Sequence, residues 1–297
     1  MLTRRFFIEF GNFIVVLLLP VIAYLPISLR LFISRFICKA LLVFSSYRVS
    51  IVSSNLKACF PDMGLEEMLA LKQRCFENIS YGFTENAVSW HRSDSYIKKS
   101  LTISNFAVVE NYNNAGLPVI FLLPHFTHMF LALRIISIIS PKTFGVRKEQ
   151  SSRIFENYYA HVLKRNNMLN IFQNEIKKAL TVLRSKKNVL ILPDVDLGMK
   201  NSVFADFFGI KAATVTSVSK LARLGGAKVV AVNFYRENNQ YMLEFEDLSD
   251  HMTLTDLESD ATLINKTFEK YIRMHPDQYG WLHRRFKTRP LGEEGIY

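Results

Sequence analysis

The pattern of apolar and polar positions divides the chain into an apolar beginning and a patterned body. Residues 10–29 carry no charged side chain, and Glu9 and Arg30 bound the run. Roughly 20 apolar residues are enough for a helix to cross a bilayer core. The run therefore predicts an N-terminal membrane helix, retained because no small-residue cleavage site follows it. Pro20 and Pro26 lie inside, and membrane helices tolerate proline better than soluble ones do. Spanning, re-entrant and interfacial placements all fit. Arg30, Arg35 and Lys39 come next at intervals that can set them along one side of a helix, suited to an anionic headgroup layer. After residue 45 the composition turns globular. The expected division is an anchoring segment over 1–45 and a single domain over 46–297.

Within the body, residues 66–90 have helical periodicity, with Leu69, Leu71, Phe76, Ile79 and Phe83 at apolar positions. Residues 118–125, 188–194 and 228–236 are short continuous apolar runs that end in polar residues. Helical patterns over 151–166 and 173–186 lie between them. Such runs predict strands buried on both faces of a largely parallel sheet. Residues 240–248 alternate more and predict a further strand, hairpin-linked through Asn238-Asn239. Residues 254–274 read as a late helix. There is no internal repeat or Gly/Ser linker. The fold class expected is α/β, a largely parallel mixed sheet flanked by helices.

Composition sharpens this in two ways. A net charge of +11 favours an anionic partner such as a phospholipid surface or an acidic carrier protein; the apolar N-terminus argues against nucleic acid. Cys38, Cys59 and Cys75 lack metal-ligand spacing and read as reduced thiols of a cytosol-facing body.

Candidate chemistry follows the strand ends, where open α/β sheets bind ligands. His125 closes one apolar run and Asp194 another. His125 can be a general base or a histidine that satisfies backbone groups. His128 makes a lone H-x-x-H, weak as a metal signal, and no metal or other cofactor is expected. Asp194-Val195-Asp196-Leu197-Gly198 can orient a hydroxyl or form a turn. The ending His283-Arg284-Arg285-Phe286-Lys287 can bind phosphates or be a solvated basic tail. No P-loop, G-x-G-x-x-G or G-x-S-x-G element is present.

Taken together, these blocks resemble the bacterial lipid A biosynthesis acyltransferases, the late lauroyl and myristoyl transferases. The D-x-D-x-G block at 194–198, the S-V-F, F-F-G and A-A-T stretches over 202–214, and the ending from His275 carry the resemblance. It implies an acyltransferase-like fold on the cytoplasmic face of the inner membrane. It also implies acyl transfer from acyl carrier protein to a hydroxyl of a lipid A precursor or similar glycolipid. His125 is then the base of an H-x4-D/E motif, and Arg147 or Lys148 the basic residue after the next strand. Asp194, Asp196, Gly198, Arg284, Arg285 and Lys287 become substrate-binding candidates. The chain departs at the fifth position after His125, where Phe130 replaces the acid. Asp194, Asp196 and Glu149 are the candidate substitutes. The alternatives are an impaired homologue that binds lipid or a partner protein, and a transferase with another lipid acceptor.

Overall fold

The computed structural model describes residues 2–297, with side chains from residue 9 onward. In chain order the helices and strands are α1 (Leu2–Tyr24), α2 (Ile27–Phe44), α3 (Ser46–Cys59), α4 (Leu65–His91), α5 (Asp94–Lys98), β1 (Leu101–Ser104), α6 (Ala107–Asn114), β2 (Val119–Leu122), α7 (Met129–Ile139), β3 (Thr143–Arg147), α8 (Arg153–Arg165), β4 (Leu169–Phe172), α9 (Ile176–Arg184), β5 (Asn188–Ile191), β6 (Ser202–Phe207), β7 (Ile210–Val215), α10 (Ser217–Gly225), β8 (Lys228–Glu237), β9 (Gln240–Asp247) and α11 (Leu257–Met274).

Seven strands form one sheet in the order β1-β9-β8-β2-β5-β3-β4. Every pairing is parallel except that of β8 with β9. That exception is the hairpin expected at Asn238-Asn239, and both residues have positive φ, +47° and +62°, as a tight two-residue turn requires. The side chains alternate across the sheet. Ile120, Leu122, Val189, Ile191, Val229 and Ala231 face the layer built from α3, α4, α9, α10 and α11. Val119, Phe121, Leu190, Val230, Val232 and Phe234 face α5, α6 and α7. Both faces of the central strands are thus buried, which is why their sequences read as unbroken apolar runs. The β6–β7 hairpin stands apart from this sheet and packs on α11.

The apolar N-terminal run does not form one membrane helix. Among the described residues, no helix is long and apolar enough to cross a membrane. Proline lacks an N–H and pushes the residue before it out of helical geometry, so α1 ends at Tyr24 and α2 begins after Pro26. Arg30, Arg35 and Lys39 then fall inside α2. Both helices lie against the body. Leu19 and Ala23 pack with Ala87, Trp90 and Val162, and Glu9 accepts hydrogen bonds at the start of α8, from the Ser152 hydroxyl (2.7 Å) and the Arg153 amide (3.2 Å). Their outer faces are apolar and exposed, with Phe13, Leu17, Val21, Phe32 and Phe36 uncovered.

Candidate active site

The sheet register brings the site together. β2 pairs with β5 in parallel, Leu122 opposite Ile191. The chain leaves each strand for three more residues and reaches His125 on one and Asp194 on the other. Equal offsets from a shared register set the two side by side. His125 Nδ1 lies 2.6 Å from Asp194 Oδ1, and the His125 amide donates to Asp194 Oδ2 at 2.8 Å. The Tyr279 hydroxyl donates to the same Oδ2 at 2.9 Å.

Asp194 is almost fully buried. Burial alone would raise its pKa, but the charge of His125 and the hydrogen bonds from His125 and Tyr279 outweigh it and hold it at about 2. At neutral pH the carboxylate can only accept. Nδ1 of a neutral His125 therefore carries the ring proton, and the lone pair sits on Nε2, which makes no hydrogen bond to a described residue. An ionised acid on one ring nitrogen and a free lone pair on the other are the arrangement a general base requires.

A strap from the C-terminal segment closes the site. Phe126 and Tyr279 form an isolated antiparallel bridge. The Gly280 amide donates to the His125 carbonyl at 2.7 Å, and the Thr127 amide to the Gln278 carbonyl at 2.8 Å. On the other side of the same loop, α4 comes so close that a Cβ on Gly82 would sit 2.5 Å from the Thr127 carbonyl oxygen.

His128 belongs to the scaffold. It is fully buried, its Nε2 3.1 Å from the Phe234 carbonyl, and its ring lies against Phe126 and Phe234. Burial lowers its pKa from 6.5 to about 4. The unfolded chain therefore binds a proton between these values that the folded chain refuses. Stability is expected to fall as pH drops from about 6.5 to about 4, by about 3 kcal/mol from this one group. Urea unfolding at pH 7 and pH 4.5 checks this: His128→Gln should lose less stability than the wild type, and an equal loss in both rejects the assignment.

A cleft of about 340 Å³ opens beside His125. Met129, Phe130, Leu133, Val146 and Ile176 supply its apolar wall, and Arg147, Lys148 and Lys200 its cations; no carboxylate lines it. Arg147 is held by Glu156, which takes its two terminal nitrogens at 2.5 and 2.9 Å, and its guanidinium lies 4.4 Å above the Phe172 ring. Lys148 and Lys200 are the cations there without a carboxylate partner among the described residues.

The other sequence candidates fall elsewhere. Asp196 accepts from Thr288, at its amide (2.6 Å) and hydroxyl (2.9 Å), and from the Gly198 amide (2.8 Å). It thereby ties the turn after β5 to the C-terminal segment. Glu149 makes no contact with His125. Arg285 is buried and donates to the Ala213 carbonyl, the Thr214 hydroxyl and Asn265 Oδ1, so its guanidinium is spent joining β7 and α11. Arg284 lies over the Tyr297 ring, and Lys287 is exposed. Tyr279 went unnoticed in the sequence: it stands in the ending block without a signal of its own.

Phe130 occupies the position of the absent acid. Its ring packs edge-on against Trp90 and Tyr159, with centroids 5.4 and 5.7 Å away. Nδ1 of His125 is already taken by Asp194, so an acid at 130 could not fill that role. Phe130→Glu is expected to leave kcat no higher and to cost about 2–3 kcal/mol by replacing aromatic packing with a half-buried charge. A gain in turnover would show that Asp194 is not the working acid.

The family model of the bacterial lipid A biosynthesis acyltransferases matches residues 3–288. The chain is 30% identical over 262 residues to the lipid A biosynthesis lauroyltransferase of Escherichia coli K12, covering 87% of this chain and 85% of that one. It is 29% identical over 257 residues to the palmitoleoyltransferase of the same organism, covering 86% and 83%. A lipid A biosynthesis acyltransferase of Haemophilus influenzae is 28% identical over 247 residues, covering 82% and 78%. With the match running through both strand ends and the C-terminal strap, the chain belongs to the bacterial lipid A biosynthesis acyltransferase family and is an acyltransferase.

Proposed function

We propose that the protein moves a fatty acyl chain from acyl carrier protein to a hydroxyl of a lipid A precursor or similar glycolipid at the inner membrane, with its body on the cytoplasmic face. The observation that carries this reading is the His125–Asp194 pair at the mouth of a cleft both apolar and basic. Nε2 takes the proton of the acceptor hydroxyl as its oxygen attacks the thioester carbonyl carbon. The C–S bond breaks, the imidazolium returns the proton to the departing thiolate, and an ester remains. Asp194 holds the tautomer and offsets the transient positive charge on the ring. The apolar wall suits the donor chain, and Lys148 and Lys200 suit an acidic carrier. The uncovered apolar faces of α1 and α2 support lodging in the membrane surface rather than crossing it.

The paired histidine also favours a working enzyme over the impaired homologue, which would leave His125 without an acid. The test is transfer of a labelled acyl group from acyl carrier protein thioester to lipid A precursors by membranes that contain the full chain. Turnover by the wild type that His125→Ala abolishes supports the reading. Equal turnover in the variant removes His125 from the mechanism, and a wild type inactive with every glycolipid tried removes the acceptor class.

A further inference from the structure

The cleft beside His125 continues into the body. A smaller pocket of about 40 Å³ adjoins it, and Leu133, Val146, Arg147 and Tyr159 line both. Roughly 10–15 Å³ of such volume holds one water, so the pocket has room for several atoms. Ile136, Leu163, Met168 and Leu190 make its walls apolar, and no carboxylate or lysine lines it. One face of α7 leads from the cleft to the pocket. Met129 and Leu133 line the first, Leu133 and Ile136 the second, and spacings of four and three put all three on one side of the helix.

A single position makes the room. Phe121, Leu190, Gly145 and Asn170 form a row across β2, β5, β3 and β4. Phe121 and Leu190 fill their part of the row with buried side chains, and Gly145 brings none. Glycine weakens a strand interior and marks places where something comes close to the backbone. The chain conformation does not demand it here, since Gly145 is not among the residues of positive φ. A Cβ at 145 would meet only the Leu169 carbonyl oxygen, at 3.9 Å, an ordinary contact. β3 is bonded along both edges, by β4 and β5. Yet only its first residue is buried, whereas β2 and β5 are buried throughout. The missing side chain leaves a hollow in the sheet that the protein's own packing does not fill.

We infer that this hollow receives the far end of the donor's acyl chain, and that Gly145 sets the longest chain accepted. The inference rests on the acyl-transfer reading and names what measures its donor. The occupant is the donor chain because the hollow continues the cleft that carries His125, Lys148 and Lys200. An acidic carrier held by those lysines presents its thioester at His125, and the chain attached to it enters end first. The sheet supplies a length. Gly145 lies two strand spacings from Phe121, and His125 lies four residues beyond Phe121, so roughly 16 Å separate Gly145 from His125. An extended chain gains about 1.2 Å per bond, so roughly 12–14 carbons reach from the thioester carbonyl to the hollow.

Initial rates with acyl carrier protein thioesters of graded saturated chain length, at fixed lipid A precursor, read this measure. In Gly145→Val, the ratio of kcat/KM for the longest chain the wild type uses well to that for a much shorter one is expected to fall about 10–200-fold, the discrimination that one methylene carries in an apolar pocket. Gly145→Ala should shift the profile the same way by less, and it keeps the question open to test should valine unfold the strand. Met168→Ala, which deepens the pocket, should move the preference toward longer chains. An unchanged chain profile in all three variants overturns the inference and leaves acyl transfer standing. An unchanged profile with a raised KM for the precursor puts an acceptor chain in the hollow and overturns it as well. Binding of acyl carrier protein that bears non-hydrolysable, amide-linked chains, measured without precursor, reads the hollow apart from turnover. Selective loss of long-chain binding in Gly145→Val, with no transfer by the wild type, would keep the hollow and reject the transfer reaction.

Discussion

Asp194→Asn is expected to lower kcat for acyl transfer by about 10⁴-fold, the loss that the same exchange causes in a Ser-His-Asp triad. The change is nearly isosteric, so shape is not the cause. An amide can present its NH₂ to Nδ1, which then accepts and forces the proton onto Nε2, where the lone pair is needed. Asparagine also lacks the charge that steadies the imidazolium. The carboxylate holds three donors, the ring and amide of His125 and the Tyr279 hydroxyl. An amide oxygen serves fewer of them, so some stability goes too, about 1–3 kcal/mol. Single-turnover rates with acyl carrier protein thioester, beside a denaturation curve, separate the two effects. A variant that keeps kcat within tenfold of the wild type would show that Asp194 only braces the strand end.

Gly280→Ala is expected to lower the rate by about 10²-fold through space alone. A Cβ at 280 would sit 2.4 Å from the His125 carbonyl oxygen, closer than non-bonded atoms approach. The strap must move outward, and the 2.7 Å hydrogen bond from the Gly280 amide to that carbonyl goes with it. Both sides of the contact are backbone, so no side chain can rotate away. Displacing the strap by even 1 Å shifts Tyr279 from Asp194 and loosens the loop that carries His125. Misplacements of that size cost about 10²-fold in rate, and overpacking of this kind costs about 1–3 kcal/mol. Thermal melts and kcat together check it. An alanine variant with unchanged melting temperature and rate would mean that the strap is not held against His125.

Much of the frame was legible in the chain, and the reasons are specific. β2, β5 and β8 lie in the middle of the sheet with both faces covered, so their sequences are unbroken apolar runs. The β8–β9 hairpin announced itself through Asn238-Asn239. β1, β3 and β4 are partly exposed, and their mixed sequences do not stand out as the buried runs of β2 and β5 do. The β6–β7 hairpin was hidden because its residues read as a motif rather than as strands. The N-terminal run misled because composition counts residues, while Pro26 decides where a helix stops.

The site was legible as residues but not as a pair. Asp194, Asp196 and Glu149 all followed strand-like or polar segments, and nothing in their spacing favoured one of them. The choice is made by strand order and register, which bring β5 beside β2 with Leu122 opposite Ile191. Those are properties of the folded sheet, not of any local stretch. Tyr279 was beyond reach for the same reason: it matters because of what stands opposite it in space.

The strap across His125 also has a consequence in time. Asp194 and Tyr279 are 85 residues apart, and chains grow at about 5–20 residues per second. About 4–17 s of synthesis therefore separate the acid from the hydroxyl that completes its hydrogen bonds. Through that interval the apolar faces of α1 and α2 have already left the ribosome, while the His125–Asp194 pair still waits for the segment that pins it. A nascent chain therefore exposes its apolar helices long before its C-terminal strap exists, and a message cut short before codon 279 yields a protein with those helices but without Tyr279.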